Sequence, residues 1–191
     1  MEPVLVVGAG PTGLVTALSL ARRGIPVRIV DRKDGPARES RAMGLHARSL
    51  EYYRQFGFGD AVVERGVVAD SIAFRSGNRD ITRFSLADMG AGLSPYPFLL
   101  AFPQDEHERF LLDRLRELGV AVEWEVSLDD VAEVGDQVEA VLRWRDGTHR
   151  STHPYVVGCD GAHSRVREVL GIGFPGGDSD QLFYVADAIV P

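Results

Sequence analysis

The tightest constraint in this sequence is local. Val4 to Val7 is a short apolar run that ends on Gly8-Ala9-Gly10-Pro11-Thr12-Gly13, and a helical apolar pattern follows at once. A G-x-G-x-x-G segment between a buried strand and a helix is a demand on the backbone. Gly8 permits a tight turn, Gly10 lets the main chain come close to a pyrophosphate, and Gly13 lets the helix pack against the strand. Pro11 and Thr12 complete the turn, and the helix N-terminus behind it offers free N–H groups and the positive end of a dipole to an anion.

The spacing of Leu14, Ala17, Leu18 and Ala21 predicts the helix, Arg22 and Arg23 complement its C-terminal dipole, and Gly24 supplies a left-handed stop. Pro26 opens a second apolar run, Val27 to Val30, that closes at Asp31. Strand, helix and strand within about thirty residues make a βαβ unit, so the sheet starts parallel. Asp31 can accept hydrogen bonds from two ribose hydroxyls, and the adjacent Arg32 is grouped with it as a candidate cofactor contact. The alternative is a plain glycine turn with Asp31 as a strand-end cap.

Further along, the polar stretch from Asp34 to Ala47 is a candidate ligand cover, followed by a helix with Leu50, Tyr53 and Phe56 on one face and Gly57 as its stop. Alternating stretches between Ser71 and Leu86 predict strands, and a Gly/Pro-rich passage, Gly90 to Pro97, leads to the apolar run Phe98 to Phe102. Phe110, Leu111, Leu115 and Leu118 stripe the next helix, Gly119 stops it, and Val120 to Glu125 returns to the sheet. Turn signals at Gly135-Asp136 and Asp146-Gly147 divide Leu128 to Tyr155 into a three-stranded antiparallel meander. A strand from Tyr155 to Val157, a short helix from Ser164 to Leu170 and a strand-like run from Gln181 to Val190 complete the reading. The expected fold is α/β, Rossmann-like, a parallel sheet joined to an antiparallel three-stranded meander.

Composition narrows the partners. Twenty-eight acidic against 21 basic residues give a formal charge of −7, which repels nucleic acid and anionic lipid surfaces. The lone Cys159 excludes an intramolecular disulfide, no His/Cys spacing suits a metal, and no segment has the form of a signal peptide or the length of a membrane span, so a cytoplasmic protein is expected. His46, His107, His149, His153 and His163 are dispersed and are assigned no catalytic role. Cys159 reads as a small buried residue, and Trp124 and Trp144 as sheet packing.

Three further segments resemble the class A flavoprotein monooxygenases, which include p-hydroxybenzoate hydroxylase and the aromatic polyketide hydroxylases. Ser40-Arg41-Ala42-Met43-Gly44-Leu45-His46-Ala47-Arg48 is similar to the family's arginine loop, which implies a place for Arg41 over the FAD pyrophosphate. Phe102-Pro103-Gln104-Asp105-Glu106 is similar to the strand-to-helix segment whose glutamine reaches the flavin side, here Gln104. Gly158-Cys159-Asp160-Gly161-Ala162-His163-Ser164-Arg165-Val166-Arg167 resembles the family's DG motif, whose aspartate, here Asp160 before Gly161, is associated with FAD and nicotinamide nucleotide. Val126 stands where the family's backbone touches the adenine. Each has a plainer reading: a solvated charge at Arg41, a helix N-terminal side chain at Gln104, a turn at Asp160-Gly161. Arg165 and Arg167 either attract a nucleotide phosphate or solvate a helix face.

The resemblance implies FAD and NAD(P)H as cofactors, O2 as co-substrate, and an aromatic or polyketide-like small molecule as substrate. The cofactor carries the hard chemistry, so no side chain is needed as nucleophile or metal ligand. It also implies an FAD-binding domain in two segments, 1–70 and 101–172, an excursion toward a substrate domain at 71–100, and the start of a truncated substrate domain at 173–191. Family members are longer and carry a later Gly-Asp motif between a strand and a helix, a context that Gly59-Asp60, Gly135-Asp136 and Gly177-Asp178 lack. The chain is therefore expected to be part of an enzyme and inactive alone, with a C-terminal half that another chain could supply. Two other readings stay open: a different FAD oxidoreductase, such as a halogenase or reductase, and a nucleotide-binding module without catalytic activity.

Overall fold

The computed structural model describes residues 1–38, 44–86, 90–177 and 181. The first elements are β1 (Val4–Val7), α1 (Pro11–Ala21) and β2 (Val27–Asp31). Then come β3 (Gly44–Leu45), α2 (Ala47–Gln55), α3 (Gly59–Val63), β4 (Val67–Ala69), β5 (Ser71–Ser76), β6 (Arg79–Ser85) and β7 (Leu99–Ala101). The helix α4 (Gln104–Glu117) leads to β8 (Val122–Trp124), β9 (Ser127–Val134), β10 (Gln137–Trp144), β11 (Gly147–His153), β12 (Val156–Gly158) and α5 (Arg165–Val169). Packing divides the chain into two units, residues 1–38 with 107–191 and residues 39–106.

In the first unit a parallel sheet runs in the order β12-β1-β2-β8, with Leu5 opposite Val156 and Arg28, and Ile29 opposite Val122. All four residues of β1 are buried, as expected where both faces of a parallel sheet are covered. Leu5 and Val7 join Val30, Val126, Leu128, Ala140, Leu142 and Val166 in one apolar cluster, so the sheet packs on the meander and on α5. Side chains alternate along a strand, which turns Val4 and Val6 to the other face. α1 packs against β1 and β2, burying Leu14, Ala17 and Leu18. Gly24, at φ +71°, ends the turn after α1 where the sequence placed its stop.

The meander is ordered β11-β10-β9 and antiparallel throughout. A polar link ties it to the parallel sheet. The buried His153 donates through Nδ1 to the Pro3 carbonyl at 2.9 Å and accepts at Nε2 from Ser151 Oγ at 2.8 Å, while Arg28 donates to Ser151 and, in bidentate fashion, to Glu123. Burial lowers the His153 pKa, which keeps the ring neutral in this arrangement.

The second unit holds an antiparallel sheet in the order β3-β7-β4 and a separate hairpin of β5 and β6. Tyr53, Phe56 and Phe58 stack around the junction of α2 and α3. The three short elements β3, α3 and β4 are not foreseen in the sequence. The strand-like run Gln181 to Val190 lies outside the described residues, Gln181 apart.

Candidate functional site

Because the sheet is parallel, β12, β1, β2 and β8 bring their C-terminal ends to one edge, the edge at which open α/β sheets bind ligands. The turn after β1 and the turn after β12 meet there. Cys159 N–H donates to the Val7 carbonyl at 2.7 Å, and Gly8 N–H donates to the Val30 carbonyl at 2.8 Å.

The three fingerprint glycines differ. Gly8 has φ +105°, and a Cβ on it would collide with the carbonyl of Cys159 and lie 2.8 Å from the amide nitrogen of Asp160. At Gly13 a Cβ would collide with the Gly8 carbonyl oxygen. Gly10 faces neither obstacle: its φ is −75°, it caps the N-terminus of α1, and a Cβ there meets nothing within 4 Å among the described residues beyond its chain neighbours. Gly10, the N-cap residue, has no side chain to claim the first N–H groups of α1. Pro11 and Thr12 form its first turn. That combination fits a pyrophosphate, which needs close backbone approach and unclaimed amide donors.

Asp31 is buried at the end of β2, with both carboxylate oxygens engaged: Oδ2 accepts from Ala9 N–H at 2.6 Å and Oδ1 from Lys33 N–H at 2.8 Å. The carboxylate thus tethers the fingerprint turn to the loop after β2. Each oxygen retains a second lone pair for a ribose hydroxyl. Arg32, next to it, is exposed. Val126 donates its N–H to the Asp31 carbonyl at 3.0 Å and buries its side chain in the core cluster. Its neighbour Glu125 holds φ +60° and donates its N–H to the Lys33 carbonyl.

Asp160 turns inward. Its Oδ1 accepts from Ser164 Oγ at 2.6 Å and its Oδ2 from the amides of Arg165 and Val166 at 2.6 and 3.3 Å, while Ser164 Oγ accepts from Arg167 N–H. Asp160 and Ser164 together satisfy the N-terminus of α5, and Gly161, at φ +82°, makes the turn between them. Arg165 donates to the Asp129 carbonyl and Arg167 to the Ala162 carbonyl, with the Arg167 guanidinium 4.3 Å from the Phe174 ring centre. A cleft of about 370 Å³ is lined by Thr12, Gly158, Cys159, Asp160, Gly161, Ser164 and Arg167. Burial raises the Cys159 pKa, and its sulfur lies 3.9 Å from Thr16 Oγ1, so it sits in this cleft as a thiol.

Gln104 opens α4 in the second unit. Arg41 lies outside the described residues. Thus Gly8, Gly10, Pro11, Thr12, Gly13, Asp31, Val126, Asp160 and Gly161 share one unit and one sheet edge. Sequence reading missed Glu108. It is 1% exposed on α4, its Oε2 accepts from Ala37 N–H at 2.7 Å, and Lys33 Nζ lies 3.5 Å away. The available signal was phase: Glu108 falls in register with Leu111 and Leu115 on the apolar stripe.

Comparison with known proteins shows the family and the fold. A family model described as FAD binding domain matches residues 1–190. A 6-methylpretetramide 4-monooxygenase from Streptomyces rimosus is 44% identical over 98% of this chain and 33% of its own length. A pentachlorophenol 4-monooxygenase from Sphingobium chlorophenolicum is 36% identical over 93% of this chain and 33% of its own length. The crystal structure of p-nitrophenol 4-monooxygenase from Pseudomonas putida DLL-E4 superposes with a TM-score of 0.84 at 29% identity, covering 92% of this chain and 45% of that one. The chain spans about a third of the length of the curated relatives it matches.

Proposed function

The chain belongs to the FAD binding domain family and is homologous to flavin-dependent aromatic and polyketide monooxygenases, and from that premise we propose that it supplies the FAD-holding part of an enzyme that hydroxylates an aromatic or polyketide-like small molecule with NAD(P)H and O2. The observation that carries the site assignment is Gly10, a glycine that neither φ nor internal packing requires, placed where an uncapped helix N-terminus meets open space. The backbone N–H groups of Gly10, Thr12 and Gly13, with Pro11 setting the turn, would hold the pyrophosphate, Asp31 with Arg32 the adenosine ribose, the Val126 backbone the adenine, and the Asp160-Gly161 turn the neighbouring wall. Gln104 and Arg41 are assigned to the flavin side and the pyrophosphate by family resemblance. When bound, FAD supplies the redox chemistry, and these residues bind and orient it.

Residues 71–100 are assigned to an excursion toward a substrate domain, a reading supported by the hairpin: Phe74 and Phe84 meet edge to face at 5.8 Å and both remain more than half exposed. The two FAD-binding segments are taken as 1–70 and 101–172, with a substrate domain opening at 173–191. The lone cysteine suits a reducing compartment such as the cytoplasm, and among the described residues no helix is long and apolar enough to cross a membrane.

The test is to purify the full-length protein, record its flavin absorbance, and follow NAD(P)H oxidation and product mass over a panel of phenols and polycyclic aromatic compounds. Bound flavin and a substrate-dependent gain of one oxygen atom are expected. Flavin with NAD(P)H oxidation but no oxygenated product would favour a different FAD oxidoreductase, and absence of flavin would remove the site assignment.

A further inference from the structure

We propose that Glu108 is a positioning residue for the cofactor, anchoring the loop after β2 so that the adenosine end of FAD meets a preformed rim. The inference rests on the fingerprint being the cofactor site. Burying a carboxylate costs several kcal/mol unless charge or hydrogen bonds compensate, so a 1% exposed glutamate on the apolar stripe of α4 calls for a reason. Leu111 and Leu115 on the same stripe show that an apolar side chain suits this face.

What Glu108 holds is the loop. Its carboxylate takes the Ala37 amide at 2.7 Å and faces the Lys33 ammonium at 3.5 Å, so it grips both ends of residues 33–37 from a helix 71 residues away in sequence. The same loop is linked inward, since Lys33 N–H donates to Asp31 Oδ1 and Asp31 Oδ2 accepts from Ala9 N–H. On its other side the Lys33 carbonyl accepts from Glu125 N–H, and the ammonium lies 6.0 Å from the Trp124 ring centre. A continuous polar chain therefore runs from α4 through the loop to the fingerprint turn. Arg32 directly precedes that span, and Arg41 follows Ala37 by four positions. Ordering the loop before the ligand arrives removes an entropic cost from binding.

Positioning and mere stability separate in one measurement. Removing one partner of a buried ion pair is destabilising where the other stays buried, but the Lys33 side chain is 39% exposed and turns to water once Glu108 is gone, so the loss falls on the Ala37 hydrogen bond. In the full-length protein, Glu108→Leu is therefore expected to melt within a few degrees of wild type, yet to bind FAD about tenfold or more weakly by flavin fluorescence titration, with faster hydrogen exchange at the Ala37 amide. If Glu108→Leu does not fold, Lys33→Met reads the same link from the exposed side. It leaves the Glu108 carboxylate without its counter-charge, so a lower melting temperature is expected together with a loss of about threefold or more in FAD affinity, titrated well below that temperature. Wild-type FAD affinity in folded Glu108→Leu, or failing that in Lys33→Met, overturns the proposal. Gly10→Val is the control: if it too keeps FAD, the fingerprint is not the cofactor site and the underlying reading fails instead.

Discussion

Gly8 and Gly10 stand two residues apart and answer to different demands, which makes them separable by mutation. An alanine at Gly8 must adopt φ +105° and displace the Cys159 carbonyl, so Gly8→Ala is expected to lower stability by about 2–4 kcal/mol, from left-handed strain and overpacking together. At Gly10 a Cβ meets no atom of the described residues within 4 Å apart from its chain neighbours, so Gly10→Val should keep the fold, while its branched side chain fills the space proposed for the pyrophosphate. Thermal melts and flavin absorbance after reconstitution check the pair: a stable Gly10→Val that retains FAD at wild-type occupancy would remove the fingerprint as the site. Asp31 combines both demands. Its carboxylate holds two backbone amides, so Asp31→Ala should cost about 1–3 kcal/mol of stability even without cofactor, and a further loss of FAD affinity in isothermal titration would report a ribose contact on top of that.

Helix α5 has only five residues, too short to persist without its cap, and Asp160 accepts three hydrogen bonds at its entry. Asp160→Ala is expected to cost about 1–2 kcal/mol in urea unfolding, while Asp160→Asn, which keeps an acceptor, should cost less; equal stability of all three proteins would show the cap to be dispensable. In α4, burial pushes the His107 pKa down to about 4 from an ordinary 6.5. The folded state therefore keeps the ring neutral while the unfolded chain takes a proton first. That stability is intact above pH 6.5 and is lost as the pH falls from 6.5 toward 4, on the order of 3 kcal/mol. Urea unfolding at pH 7 and pH 4.5 should show a smaller drop for His107→Leu than for wild type, and identical drops would mean that His107 does not titrate between the two states. Legibility in the sequence follows the same scale. The strands of the parallel sheet read clearly because apolar runs end on Gly8, Asp31 and Gly158, and the meander read clearly because Gly135 and Gly147 mark its turns. β3, α3 and β4 span two to five residues and carry no period to detect. Where a carboxylate points is also not periodic. Asp31 meets Ala9 across 22 positions and Glu108 meets Ala37 across 71, and such pairings exist only once the sheet is assembled.

At the scale of the molecule, the chain divides the cofactor unevenly. The parts proposed for the adenosine half, Gly8 to Gly13 and Asp31, lie within the first 31 residues and are joined by the Ala9 to Asp31 hydrogen bond. Among the described residues of the first unit, the cleft at the sheet edge is lined by Thr12, Gly158 to Gly161, Ser164 and Arg167, with no aromatic side chain among them to stack on an isoalloxazine. The chain also spans only about a third of the length of its curated relatives, while the β5 and β6 hairpin leaves Phe74, Phe84 and Ile81 exposed, a two-stranded element that is marginal on its own. A polypeptide limited to these 191 residues is therefore expected to bind ADP about as well as a protein of the relatives' length carrying the same segment, to bind FAD at least about a hundredfold more weakly, and to oxidise no NAD(P)H in response to substrate. Parallel fluorescence titrations with ADP and FAD on the two proteins, together with a substrate-dependent NAD(P)H assay, measure all three. Tight stoichiometric FAD and substrate hydroxylation by the 191 residues alone would place the flavin half of the site inside this chain after all, with Gln104 and the segment around Arg41 the first residues to mutate.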